Sequence, residues 1–102
     1  MELLILYVPC SSEDEAQKIV EALLAEKLIA CGNIISSNSI YSWNGGISND
    51  KEWIAIMKSL PEMLQKVEMK IKILHSYEVS AIIHWQASCN AEYLEWVQGQ
   101  LC

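Results

Sequence analysis

"SIYSWNGGISNDKEWIAIMKS", residues 39–59, contains the signals that organise the rest of the chain around them. At its centre, "NGG" at residues 44–46 is typical of a tight turn between antiparallel strands. The residues after this turn predict a strand that starts near Ile47 or Asp50 and ends at Ser59, with apolar side chains on both faces near its middle. The sequence therefore predicts a central β-hairpin.

The chain before the hairpin predicts a strand, a helix and a second strand. Residues 2–9 are short and aliphatic, which favours a strand. Residues 11–30 show apolar positions at helical spacing, and Ser12 with Glu15 three residues later matches a capping box at the helix start. Residues 31–43 predict the strand that enters the hairpin, although its polar "SSNS" segment leaves open whether it is continuous.

The chain after the hairpin predicts a helix from Pro61 to about His75, a strand at residues 79–85 and a short helix at residues 90–101. The resulting β–α–β–β–α–β–α order matches the split βαβ, or ferredoxin-like, plan. We therefore expect one α+β domain over residues 1–102. It has an antiparallel sheet with helices on one face, plus a short C-terminal helix.

Such a plan leaves the other face of the sheet without helices. Four aromatic residues are candidates for this bare face, namely Trp43, Trp53, Trp85 and Tyr41. A large apolar face is rarely left in water. The sequence therefore predicts self-association of the chain.

Composition narrows the class of function. The 102 residues carry a formal charge of -6 and seven lysines but no arginine, so a nucleic-acid partner is not expected. The sequence shows neither a membrane span nor a signal peptide, which predicts a cytoplasmic protein without a membrane partner. The four cysteines lack the spacing of a zinc or redox motif, and we expect free thiols.

Several segments together resemble one protein family. "LLAEKLIACGNI", "SIYSWNGGI", "EWIAIMKS", "HSYEV" and "YLEWV" occur in this order between Leu3 and Val97. In this order and spacing they resemble the CutA divalent-ion tolerance family. The resemblance implies a ferredoxin-like subunit in a homotrimer, similar in architecture to the PII signalling trimers. It also implies a role in tolerance of divalent metals, copper especially, with no established enzyme activity and no required cofactor.

The resemblance gives His75 and Glu52 a role as metal ligands in a cleft between subunits. Imidazole and carboxylate suit Cu(II) or another divalent cation. From the residues alone, the favoured interpretation is that His75 ends a helix and satisfies its last carbonyls. The favoured interpretation of Glu52 is likewise a surface residue or a partner of Lys58.

Five further residues are candidates for lining the ligand cleft, namely Lys58, Tyr77, Glu78, Trp43 and Tyr41. Lys58 could bind an anion or form a surface ion pair. Tyr77 and Glu78 complete the histidine motif. Trp43 and Tyr41 could line a pocket or pack between subunits.

The sequence departs from the family pattern at the histidine motif. Ser76 and Ser80 stand where family members usually have proline, which predicts a less rigid segment. Val8 stands where some members have a cysteine implicated in metal binding. Cys10, two residues later, does not simply inherit that role.

Three functions compete on these grounds. The leading one is a non-enzymatic trimer of metal homeostasis that binds divalent cations weakly between its subunits. The second is a PII-like signalling or scaffold trimer that binds a small anionic ligand near Lys58. The third is a small enzyme in which His75 and Glu52 form an acid–base pair, although no nucleophile or oxyanion motif accompanies them.

Overall fold

The computed structural model describes residues 2–101, which form one antiparallel sheet, three α-helices and a short 3-10 turn at Pro61–Met63. In chain order the other elements are β1 (Leu3–Cys10), α1 (Glu13–Ala25), β2 (Cys31–Trp43), β3 (Gly46–Ser59), α2 (Leu64–Leu74), β4 (Ile83–Ala87) and α3 (Ala91–Gln100). The sheet order is β2–β3–β1–β4. This arrangement confirms the predicted α+β, ferredoxin-like architecture. Within the described residues, no helix has the length and apolar character that a membrane crossing requires.

β2 and β3 form the predicted hairpin. Trp43 pairs with Gly46 across a two-residue turn, in which Asn44 (φ 49) and Gly45 (φ 77) both have positive φ. Positive φ at both central residues defines a type I′ turn, which the Asn-Gly pair favours. The "SSNS" segment at residues 36–39 is fully paired with β3, so β2 is continuous.

α1 and α2 cover one face of the sheet. The side chains of Leu4, Leu6 and Val8 point to this face and are at most 2 % exposed. Burial of each aliphatic side chain stabilises the fold by about 1.5–3 kcal/mol. The buried members of this core are Leu4, Leu6, Val8, Cys10, Ala16, Ile19, Val20, Leu23, Leu28, Ile29, Ala55, Met57, Met63, Val67 and Ile71. The apolar residues that recur at helical spacing in the sequence are thus the ones that α1 and α2 pack against the sheet.

The opposite face is covered by α3 at one end only. Val97 of α3 packs there with Leu3, whose side chain alternates with the core residues of β1. Beyond α3, the bare face carries Trp85, Tyr41 and Trp43, which are 46 %, 41 % and 63 % exposed. These three aromatic residues lie on the predicted face.

The prediction that Trp53 lies on the bare face is wrong. Trp53 pairs with Cys10 and packs against the core beneath the helices. It alternates with Ile54 along β3, so its side chain points to the same face as that of Ala55. In a strand that is buried on both sides, polar and apolar residues do not alternate. The sequence of such a strand therefore does not indicate which face its tryptophan occupies.

β4 begins later than predicted, at Ile83 instead of residue 79. Ile83 pairs with Tyr7, and residues 75–82, which we call the junction, form no strand. In the junction, the backbone N–H groups of Ser76 and Tyr77 donate to side chains, as described below. His84 lies on β4 as expected of a strand residue, but its side chain is exposed and does not belong to the core.

Candidate metal-binding site

An open cleft of about 1180 Å³ lies between the outer part of the β2–β3 hairpin and the junction. β2 and β3 supply one wall because their paired strands extend beyond the residues that pair with β1. The junction supplies the other wall, and the end of β1 at Pro9 closes the floor. The hairpin and the junction are brought together by the sheet order, since β1 pairs with both β3 and β4.

The charged side chains that line this cleft are mainly acidic. Asp50, Glu52 and Glu78 contribute carboxylates, and Lys51 contributes one ammonium group. The hydroxyl of Tyr41 donates a hydrogen bond to Oδ2 of Asp50, and this bond is the main cause that raises the pKa of Tyr41. The cleft therefore offers carboxylate oxygens to a cation.

Glu52 is held in place by two hydroxyl donors. The hydroxyl of Ser39 donates to Oε1 of Glu52, and the hydroxyl of Tyr77 donates to Oε2 at 2.7 Å. Burial, followed by the hydrogen bond to Glu52, raises the pKa of Tyr77, so its hydroxyl remains a donor. Glu52 thus bonds to residues of the cleft and not to Lys58.

His75 is 9 % exposed and lies directly after α2. Its Nε2 lies 2.7 Å from the carbonyl oxygen of Pro9, and its Nδ1 accepts the backbone N–H of Tyr77 at 3.1 Å. A carbonyl accepts and an N–H donates, so the ring is neutral with its proton on Nε2. The expected contact of the ring with the last carbonyls of the helix is replaced by a contact with β1.

Tyr77 connects the two predicted metal ligands. Its backbone N–H bonds to His75, its hydroxyl bonds to Glu52, and its ring lies 4.7 Å from the imidazole ring, centroid to centroid. Tyr77, Glu78, Trp43 and Tyr41 line the cleft. Lys58 does not line it, because it lies near the other end of β3, where it bonds to Asn33.

Glu15 ties the junction to the first helix. Its Oε1 accepts the backbone N–H and the hydroxyl of Ser11 at 2.9 and 3.0 Å, and its Oε2 accepts the backbone N–H of Ser76 at 2.8 Å. Burial raises the pKa of Glu15, but the hydrogen bonds from Ser76 and Ser11 outweigh it and lower the pKa to about 2. Ser76, unlike a proline, has a backbone N–H that Glu15 can bind.

A second group of ligand atoms lies behind the cleft. Single donor atoms of Cys10, Glu15 and His75 all lie within 4.8 Å of one another. Cys10 is fully buried, and burial together with the negative charges of Glu15 and Glu52 raises the pKa of its thiol to about 12. Sulfur, oxygen and nitrogen donors thus meet at one point.

The sequence indicated a role at this site for His75 but none for Cys10 and Glu15, which lie beside it. Glu15 has the capping pattern expected of it, since Ser12 accepts the backbone N–H of Glu15 at 3.0 Å, but its carboxylate bonds to the junction. Cys10 follows Pro9, which hides the continuation of β1 in the sequence. Cys10, Cys31 and Cys89 are free thiols as predicted, and Cys102 lies outside the described residues.

This fold and site define a class of protein, namely small ferredoxin-like proteins with an acidic cleft beside a buried histidine. The chain belongs to the CutA1 divalent ion tolerance protein family, whose pattern matches residues 4–100. It is 38% identical over 96 residues to the divalent-cation tolerance protein CutA of Pyrococcus horikoshii, covering 93% of this chain and 94% of the relative. It is 36% identical over 99 residues to the divalent-cation tolerance protein CutA of Thermus thermophilus, covering 95% of this chain and 94% of the relative.

The fold agrees with solved structures of this family. The crystal structure of the divalent ion tolerance protein CutA1 from Ehrlichia chaffeensis superposes with a TM-score of 0.93 at 33% sequence identity. The superposition covers 96% of this chain and 94% of the other. The family assignment therefore rests on both sequence and structure.

Proposed function

We propose that this chain is a non-enzymatic protein of divalent-metal tolerance that binds Cu(II) or another divalent cation weakly, in clefts between the subunits of a homotrimer. The observation that carries the proposal is the acidic lining of the cleft by Asp50, Glu52 and Glu78. Membership in a divalent ion tolerance family supports the same function. Cations are the ligands that such a lining favours.

Glu52 is the central cation ligand in this proposal. Its two carboxylate oxygens are oriented by Ser39 and Tyr77, and each oxygen keeps a lone pair for a cation. Hydroxyl donors that do not touch the cation themselves can hold a ligating carboxylate in the orientation it needs. The cleft is open to solvent, so its carboxylates must compete with water for the cation, which fits weak binding.

Direct binding of the cation by His75 is a separate proposal. Both ring nitrogens already have partners, so a cation could bind only after one hydrogen bond breaks. In the cleft itself, the contribution of His75 is to hold the backbone of Tyr77. Because both ring nitrogens of His75 are already hydrogen-bonded, an acid–base role together with Glu52 is disfavoured. This supports a non-enzymatic function.

The trimer is supported by apolar side chains on the bare face. Ile35, Ile83 and Trp85 are 50 %, 52 % and 46 % exposed, and Trp43 is exposed on the outer hairpin. Contact with a second copy of the chain would remove this surface from water. A cytoplasmic location and the absence of nucleic-acid and membrane partners belong to the same proposal.

The anionic-ligand alternative receives less support from the cleft. Lys58, the lysine on which that alternative depended, lies outside the cleft and bonds to Asn33. The carboxylates of Asp50 and Glu52 would repel a phosphate or another small anion. The geometry thus favours the cation over the anion.

Calorimetric titration with Cu(II) tests the proposal. Wild-type protein is compared with Glu52→Gln, which removes one charge and keeps the size of the side chain. Loss of a charged ligand is expected to weaken binding by about tenfold, equivalent to about 1.4 kcal/mol. Glu62→Gln is the matched control, because Glu62 is exposed on the 3-10 turn away from the cleft.

The two variants separate the outcomes. Weaker binding in Glu52→Gln together with wild-type binding in Glu62→Gln supports a cation site at Glu52. Equal affinity in all three proteins would remove Glu52 from the site. Thermal unfolding of each variant checks that the fold is retained.

A further inference from the structure

The cleft is larger and more aromatic than a metal ion requires. Its volume is about 1180 Å³, and pockets that bind small organic molecules have volumes of about 300–1,000 Å³. Tyr41, Trp43 and Tyr77 line it together with the carboxylates. Aromatic ring faces do not coordinate a divalent metal ion, whose ligands there would be oxygens. We propose that the cleft also binds a linear aliphatic diamine or polyamine, with its ammonium groups on the carboxylates and its carbon chain against the rings.

Tyr41 and Trp43 form an aromatic corner in the outer part of the cleft. Both side chains lie on the same face of β2, because residues two positions apart in a strand point the same way. Their ring planes meet at 74°, with the ring centroids 6.5 Å apart. An ammonium group is attracted to the faces of tryptophan and tyrosine rings. The corner therefore favours an organic cation.

The carboxylates of the hairpin have a spacing that suits two ammonium groups. Asp50 and Glu52 are two residues apart on β3, so they lie on the same face with their Cα atoms about 7 Å apart. In putrescine, a four-carbon diamine, the two nitrogens are about 6 Å apart when the chain is extended. Lys51 offsets only one of the three carboxylates of the cleft. A dication thus matches both the charge and the spacing.

Both carboxylates keep acceptor sites for an ammonium group. Oδ2 of Asp50 accepts the hydroxyl of Tyr41, and the two oxygens of Glu52 accept those of Ser39 and Tyr77. An ionised carboxylate has about four lone-pair sites, so each can accept further hydrogen bonds. Bonds from an ammonium to a carboxylate are stronger than those between neutral groups. The hydroxyl donors therefore hold the carboxylates ready for the ligand.

Apolar side chains in the same cleft suit the carbon chain of the ligand. Pro9, Ile40 and Val79 contribute to the lining, and Val79 is 88 % exposed. Contact with methylene groups would remove part of this apolar surface from water. Glu78, next to Val79, supplies a third carboxylate. The cleft therefore has acceptors for a triamine such as spermidine as well as for a diamine.

This inference rests on the preference for cations in the proposed function, but it does not require binding of a metal. Cu(II) and putrescine are titrated separately into the same wild-type protein. Binding of putrescine without Cu(II) would leave the inference standing and remove the metal from the proposed function. Binding of Cu(II) without putrescine would overturn the inference and leave the metal in place.

Calorimetric titration at a fixed ionic strength tests the inference. Wild type should bind putrescine about tenfold more tightly than butylamine, which has the same carbon chain and only one ammonium group. Asp50→Asn should weaken putrescine binding by about tenfold, and Trp43→Leu by about fivefold. Proton NMR of the ligand reports the ring contact, because methylene groups that lie over ring faces shift upfield on binding.

Trp96→Leu and Asp14→Asn are the matched controls, and both should keep wild-type affinity for putrescine. Trp96 is exposed on α3 and Asp14 is exposed on α1, outside the cleft. Thermal unfolding and light scattering check the fold and the assembly of each variant.

Three results would each overturn the inference. They are equal affinity of wild type for putrescine and butylamine, binding of putrescine without the upfield shift, and wild-type affinity in both Asp50→Asn and Trp43→Leu. The first two need only wild-type protein, so they hold even if a variant fails to fold.

Discussion

Oε2 of Glu15 accepts the backbone N–H of Ser76 at 2.8 Å, across 61 residues of sequence. The same carboxylate accepts two hydrogen bonds from Ser11, and Ser11 and Ser76 lie within 3.4 Å of each other through their hydroxyl oxygens. One ionised side chain therefore holds the start of α1 against the junction. A chain with proline at position 76 would lack the N–H that Glu15 binds.

Glu15→Gln is expected to lower the free energy of unfolding at pH 7 by about 1 kcal/mol, a value reduced for solvent screening of this partly exposed group. Because the pKa of Glu15 is lowered to about 2 in the folded chain, its stabilisation is present above the ordinary value of 4.5. This stabilisation is lost as the pH falls from about 4.5 towards 2. The difference between wild type and variant should therefore shrink across that window. Urea unfolding at a series of pH values measures it.

Glu13→Gln is the control for this prediction. Glu13 is exposed in the first turn of the same helix, so its replacement changes the charge near the helix dipole without touching the junction. Its effect on stability should be the smaller of the two. Equal effects of the two substitutions, or a Glu15 effect that is unchanged between pH 7 and pH 3, would contradict the account of the junction.

The neutral imidazole ring of His75 should carry its proton on Nε2. The carbonyl of Pro9 needs a donor and the N–H of Tyr77 needs an acceptor, which fixes this tautomer. Nitrogen-15 NMR of the ring, at a pH where both histidines are neutral, measures the protonation of each nitrogen. His84 is exposed and serves as the internal comparison. A ring of His75 protonated on Nδ1 would contradict the hydrogen-bond assignment.

Gly32→Ala should destabilise the fold because the sheet and α1 approach closely at this residue. A Cβ at position 32 would lie 2.8 Å from Cγ1 of Val20 and 3.3 Å from Cγ of Met57. Val20 is buried and branched, so it cannot move aside easily, and overpacking of this kind costs about 1–3 kcal/mol. Urea unfolding measures the change.

Gly99→Ala is the matched control for Gly32→Ala. A Cβ at position 99 would meet no atom within 4 Å, and the residue lies in α3. Alanine there should stabilise the helix by about 0.5–1 kcal/mol. A loss of stability at position 99 equal to that at position 32 would show that close packing is not the cause.

Trp85→Glu is expected to break the proposed homotrimer. Trp85 lies on the bare face opposite Ile5, and a buried carboxylate without a partner would oppose association. Light scattering coupled to size exclusion measures the mass of wild type and variant. Ile73→Glu is the control, because Ile73 is 76 % exposed on α2, away from the bare face. A monomeric wild type, or dissociation by Ile73→Glu alone, would contradict the proposed interface.

Local patterns were sufficient to predict most of the fold. The Asn-Gly turn, the Ser12 cap and the helical spacing of apolar residues act between near neighbours, so they can be read along the chain. The face of Trp53 could not be read in this way, because β3 is apolar on both sides near its middle. The start of β4 could not be predicted from local patterns either. It depends on the junction, where Ser76 bonds to Glu15, a residue 61 positions away.

The candidate site was predictable only in part. His75, Glu52 and Tyr77 were indicated by a family resemblance, which does not specify their contacts. The structure shows that Tyr77 stands between the other two. The proximity of Cys10 and Glu15 to His75 follows from the packing of three elements, and no local pattern of residues reports such a contact.

Binding of a divalent cation at Glu52 in the acidic cleft can be observed by anomalous diffraction from a crystal soaked in Cu(II). This measurement locates copper without assumptions about its ligands. We expect an anomalous peak in the cleft, within coordination distance of a carboxylate oxygen of Glu52. Copper bound elsewhere on the protein, with none at Glu52, would contradict it.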